Sequence, residues 1–106
     1  MDNVKIPKKI HLFSHDIKTK WRRNLREKED CIGLADFDTN TIYLQISTKK
    51  NIICKEKQEQ TYFHELAHMM LHYSGRDDLM KDETLVDVLG SMLRQVVGQF
   101  VSDLIP

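Results

Sequence analysis

The sequence predicts an α+β fold, and three observations lead there. The first half is built of β-rich runs with period-2 alternation, and the second half of two stretches with helical periodicity. The only prolines are Pro7 and Pro106, so no proline breaks the interior.

In order along the chain, Ile10-His11-Leu12-Phe13 is a short apolar-rich run. Ile17, Thr19 and Trp21 then alternate with Lys18, Lys20 and Arg22, as on a half-buried strand. Arg22 to Asp30 is charged and reads as a loop or a short helical turn. Leu34-Ala35-Asp36-Phe37 and Thr41 to Ile46 flank Asp38-Thr39-Asn40, two β-rich runs around a turn, hence a hairpin. Together these runs predict a small antiparallel sheet. A helix is expected from about Lys55 to Tyr73, stopping at Ser74-Gly75. Asp82 is a suitable N-cap for a second helix to about Val101, with Glu83 in the first turn where the helix dipole favours anions. Leu85, Leu89, Met92, Val96 and Phe100 form one apolar stripe on it, expected to face the core.

A length of 106 residues fits one domain spanning 1–106, and 41% hydrophobic with 30% charged residues is an ordinary globular composition. No apolar run approaches the roughly 20 residues of a membrane span. The N-terminus lacks the apolar core of a secretory signal, so a cytoplasmic location is expected. The net charge is zero, yet residues 1–57 carry 13 Lys/Arg against 8 Asp/Glu while residues 58–106 carry 3 against 8. Lys18, Lys20, Arg22, Arg23, Arg26 and Lys28, with Trp21 among them, could hold a phosphate backbone. Glu27, Glu29 and Asp30 dilute that patch, and nucleic acid is not the expected partner. Cys31 and Cys54 have no CxxC spacing and are expected to be free, buried or half-buried thiols.

The segment that carries chemistry is His64-Glu65-Leu66-Ala67-His68. Helix positions four apart share a face, so His64 and His68 can offer two imidazole nitrogens to one ion. Glu65 sits about a hundred degrees round the helix, placed to act on water beside the ion rather than to bind it. Zinc suits such nitrogen and oxygen donors, and a catalytic zinc needs a third protein ligand and an open position. Phe63, Leu66, Ala67, Met69, Met70 and Leu71 make the helix apolar on most sides, and burying two imidazoles and a carboxylate without partners is costly. Downstream, Glu83 and Asp87 lie one turn apart. Either could reach an ion near the helix start; the longer Glu83 is the expected ligand, with Asp87 accepting the free N–H of a ligand histidine. Gly90 continues that face, and a glycine there lets two helices approach closely at a cost of about 1 kcal/mol against alanine. His72 extends the row, but residues 64 to 72 span about 12 Å along a helix, too far for one ion. Tyr62, Tyr73, His11 and His15 are candidate oxyanion donors.

HELAH followed by ETLVDVLG resembles the gluzincin arrangement, in which a glutamate on the next helix is the third ligand. With the β-rich first half and HELAHMMLH, the chain most resembles the ImmA/IrrE-type metallopeptidases of bacteria and their mobile elements. The resemblance covers a minimal zincin core, roughly residues 10–100, and departs from the family pattern where Val86-Asp87 replaces the usual Ala-Asn. It implies Zn2+ at His64, His68 and Glu83, Glu65 as general base, and a protein substrate such as a transcriptional regulator. The alternative is a catalytically silent interaction or regulatory protein of a phage or mobile element with the same fold.

Overall fold

The computed structural model describes residues 5–104. The first four residues, on which part of the cytoplasmic expectation rests, and Pro106 lie outside them. The elements run β1 (Lys9–Leu12), β2 (His15–Arg22), α1 (Leu25–Glu29), β3 (Gly33–Asp36), β4 (Thr41–Gln45), α2 (Lys55–Tyr73), α3 (Asp77–Met80) and α4 (Glu83–Leu104). The α+β architecture is as expected: a four-stranded sheet with α2 and α4 packed together.

The sheet is mixed, not antiparallel. Its order is β1-β2-β4-β3; β1–β2 and β3–β4 are antiparallel, but β2 and β4 run parallel, with Lys18 opposite Thr41 and Arg22 opposite Gln45. The cause is α1. This short helix, anchored by buried Leu25, carries the chain past the neighbouring position, so β3 becomes the edge and the hairpin returns β4 into the gap. Gln45 fixes the corner: its side chain accepts from the Arg26 N–H and donates to the Arg23 and Ile46 carbonyls. The hairpin turns through Asn40, whose φ of 51° is left-handed, and the Asp38 N–H donates to the Asp36 carboxylate.

Ile17, Ile42 and Leu44 of the sheet meet Tyr62, Phe63 and Met69 of α2 in the core. On the opposite face Lys18, Lys20 and Arg22 stand exposed, and the Arg22 guanidinium lies over Tyr43. α2 ends where expected. Gly75 has φ 75°, its N–H donates to the His72 carbonyl, and the Arg76 N–H donates to Leu71, a Schellman closure. The chain reverses through α3, which sequence periodicity did not predict. Asp82 then caps α4, its carboxylate accepting from the Leu85 N–H at 3.1 Å.

The face of α4 that packs inward is not the expected one. Val86 and Gly90 are buried and Leu93 and Val97 pack on the core, whereas Met92, Val96 and Phe100 of the predicted stripe are exposed. Gly90 decides this: a β-carbon there would stand 3.0 Å from the His64 Cα and N and the Phe63 carbonyl oxygen, so only glycine lets the backbones come this close. Arg94, on the same inward side, pairs at 3.3 Å with Glu59, a buried carboxylate of α2. No helix among the described residues is long and apolar enough to cross a membrane.

Candidate metal centre

Two turns of α2 and the first residue of α4 bring three donors together. His64 Nε2 lies 3.1 Å from Glu83 Oε2, and His68 Nε2 lies 3.3 Å from Glu83 Oε1. One donor atom from each of the three residues falls within 4.8 Å of the others. Ligands held about 2.0–2.1 Å from a tetrahedral ion stand roughly 3.3–3.4 Å apart. Each imidazole is about that far from one oxygen of Glu83, and the three-donor set, spread over no more than 4.8 Å, is compact enough to close on one ion. The donor set also fits: two borderline imidazoles and a carboxylate on the half-open rim of the protein, where a fourth position can face solvent.

The rings are oriented from behind. His64 Nδ1 lies 3.4 Å from Asp87 Oδ1, the geometry in which an Nδ1–H donates to the carboxylate and leaves Nε2 free to face the site. The backbone of Met80, at the end of α3, lies beside the His68 ring and favours its charged form. Burial pushes the His68 pKa down; Glu83 partly opposes this and His64 adds to it, so the ring favours its neutral, ligating form. Sequence reasoning could not find Met80, because a backbone carbonyl leaves no side-chain signal.

Glu65 stands outside the converging set, beside it. Burial raises its pKa from 4.5 to about 7; His64 lowers it, Glu83 raises it, and a hydrogen bond from the Ala35 N–H of β3 lowers it. Gly33 makes this closeness possible. A β-carbon there would collide with the Thr61 methyl and press on the Glu65 side chain at 3.3 Å. A glycine at a strand start was the available signal, and it marks close approach of a second element.

Glu65 separates two hollows that follow the edge strand. One, of about 440 Å³, is polar and includes Cys31, Lys57, Asp87 and Ser91; the other, of about 390 Å³, is lined by Leu34, Phe37 and Met80 with Lys81. Cys31 is a free, half-buried thiol whose pKa is raised by burial and by nearby Glu65, whereas Cys54 is free but exposed rather than buried. His72 is elsewhere: its Nδ1 lies 2.9 Å from Asp77 and its ring stacks on Phe37. None of the candidate oxyanion donors lines either hollow. Tyr62 is buried in the core, its pKa pushed up to about 12 by that burial, Tyr73 stacks on His15, and His11 pairs with Asp16. Arg22, Arg23 and Lys28 share a hollow of about 370 Å³ on the far side of the sheet with Glu29 and Asp36.

Comparison with protein-family models, with curated proteins and with solved structures finds no match to the chain.

Proposed function

We propose that the chain is a zinc-dependent metallopeptidase that hydrolyses peptide bonds in an extended protein segment. The observation that carries this reading is the convergence of His64, His68 and Glu83 with Glu65 beside them, along an open strand edge. Zinc held by the three residues would supply Lewis acidity, polarising the scissile carbonyl and acidifying water. Glu65 accepts the proton of the attacking water and delivers it to the leaving amine, a role that suits a carboxyl whose burial favours holding a proton. Asp87, 3.4 Å from Nδ1 of His64, would hold that imidazole in the tautomer that presents Nε2 to the site. The unpaired edge of β3 offers backbone groups to a substrate added as a further strand, and the hollow at Leu34, Phe37 and Met80 suits an apolar side chain of that substrate. A bacterial or phage transcriptional regulator is the substrate that the ImmA/IrrE resemblance suggests.

The test pairs metal analysis with cleavage of a proteome-derived peptide library. The wild type should take up one equivalent of zinc and cleave, whereas Glu65→Gln should keep the zinc and lose at least about 10²–10⁴-fold in rate. Full activity in Glu65→Gln, or no zinc uptake by the wild type, would overturn the reading.

A further inference from the structure

Beyond its acidic first turns, the solvent side of α4 is a continuous apolar face, whereas exposed apolar side chains elsewhere, such as Phe13 and Ile52, stand singly. Val88, Met92, Val96 and Phe100 are 52%, 57%, 50% and 65% exposed. They are spaced four apart and so form one continuous ridge along the helix. The exposed residues between them are Ser91, Gln95 and Gln99. The one charged residue from Val88 to Val101 is Arg94, and it is turned inward onto Glu59. A stretch of 14 residues without a free charge, in a chain that is 30% charged, has the composition of an interface core, where charge is depleted.

We propose that this ridge is the interface of a homodimer in which two copies of α4 cross antiparallel at the level of Arg94. The spacing is self-complementary. Twofold symmetry about residue 94 sets Val88 against the partner's Phe100 and Met92 against the partner's Val96, and the reverse pairs follow from the same operation. Every exposed apolar side chain of the ridge meets another, and the bulkiest, Phe100, meets the small Val88. Ridges of this four-residue period interlock at a crossing angle of about −50°.

The area is sufficient. Four side chains at these exposures leave roughly 400 Å² of apolar surface in water per copy. With Ser91, Gln95 and Gln99 at the margin, the pair buries on the order of 1,000–1,200 Å² in total, the range of a weak specific dimer. The antiparallel sense also keeps the two acidic helix starts, Glu83 and Asp87, at opposite ends, where a parallel pair would bring them together. A membrane surface fits less well, because helices that lie on anionic bilayers carry Lys and Arg on their polar face, and the one Arg described on α4 faces Glu59. The inference is independent of the metal chemistry.

Sedimentation velocity of the full chain from about 1 to about 500 μM should show a reversible monomer–dimer equilibrium with a micromolar Kd. Met92→Glu and Val96→Glu should each raise that Kd at least about 30-fold, with helical circular dichroism and melting unchanged because both positions face solvent in the monomer. Register is read by cysteine pairs in a Cys31→Ser, Cys54→Ser background. Val88 and Phe100 lie about 18 Å apart on one helix, beyond disulfide reach. Mixed Val88→Cys and Phe100→Cys proteins should therefore cross-link to each other, and neither should cross-link to itself. A wild type that stays monomeric at every concentration, or a dimer indifferent to both glutamates, would overturn the proposal. So would cross-linking of Val88→Cys to itself, or a monomer retained on anionic phospholipid vesicles through this ridge.

Discussion

Two neighbouring turns of α2 present histidines on one face and differ in the chemistry they can support. His64 and His68 both approach the carboxylate of Glu83, at 3.1 and 3.3 Å. One turn further on, His72 faces Asp77 at 2.9 Å and stacks on Phe37, 4.3 Å between ring centroids. Residue type and helix are the same, and an acidic partner is present in both places. What differs is the returning chain. Gly90 lets α4 press against the backbone of α2 at Phe63 and His64, which sets Glu83 between two imidazoles. At His72 the helix is already closing at Gly75, and the nearby acid, Asp77, is the first residue of α3. One carboxylate between two rings makes a three-donor pocket; one carboxylate against one ring makes an exposed polar contact, of the kind worth about 0–1 kcal/mol.

The largest effect should come from deleting a donor of the first turn. If zinc is held as proposed, His64→Ala and Glu83→Ala would each remove one of its three protein ligands, so zinc affinity should fall by more than the roughly 10–100-fold typical of a supporting residue. Competition with a chromophoric zinc chelator reads this directly. Retention of zinc by both variants at wild-type affinity would break the comparison, because the first turn would then be no more a metal site than the second.

Glu65 sharpens the comparison through stability in metal-free protein. Its carboxyl is held to about 7 in the fold against an ordinary 4.5. Below about pH 4.5 both folded and unfolded chains are protonated at this group. Between 4.5 and 7 the unfolded chain ionises first, so stability is lost as pH rises, and the loss is complete above about 7; a shift of this size corresponds to up to about 3 kcal/mol. Glu65→Gln does not titrate. In urea melts with a chelator present, the wild type should lose up to about 3 kcal/mol more than the variant between pH 4 and pH 8. The lowered pKa of His68 acts in the opposite direction, but it is present in both proteins and cancels in the difference. Equal pH slopes for the two proteins would refute a buried, proton-holding Glu65.

Much of this site was legible because side-chain spacing encodes it. The four-residue spacing of His64 and His68, the Gly75 stop, the Asp82 cap and the close approach at Gly90 each follow from a local rule, and each appears in the structure. The sense of the sheet was not legible, because period-2 alternation is identical in parallel and antiparallel strands. Nor was the inward face of α4. That helix is apolar on two sides, and the side holding Val86, Gly90, Leu93 and Val97 is inward because glycine admits the neighbouring backbone. α3 is four residues long, too short for a periodic signal, and the Met80 carbonyl and Ala35 amide act through backbone atoms that no residue type reveals.

Asp87 should have an intermediate effect. Its side chain pairs with His64 at 3.4 Å and is largely exposed, so under the proposed reading it would orient a ligand without being one. Asp87→Ala should weaken zinc binding by about 10–100-fold, less than Glu83→Ala. The reverse order, with Asp87→Ala stripping the metal and Glu83→Ala keeping it, would exchange the two roles.

The smallest effect belongs to the second turn. His72→Ala removes a ring whose Nδ1 contacts Asp77 and whose face lies on Phe37, and neither contact reaches the donor set. Zinc affinity should therefore change by less than about a factor of three, within the small coupling expected of independent sites. A modest fall in melting temperature is still expected, because the stacking contact and the hydrogen bond to Asp77 at the end of α2 are lost together, for about 1 kcal/mol. Phe37 also lines the apolar hollow beside His68, so an altered cleavage preference at unchanged zinc affinity would show that the second turn supports the substrate surface and not the metal. If His72→Ala instead weakened zinc as much as Asp87→Ala, the two turns would be one site, and the boundary drawn between them at His68 would be misplaced.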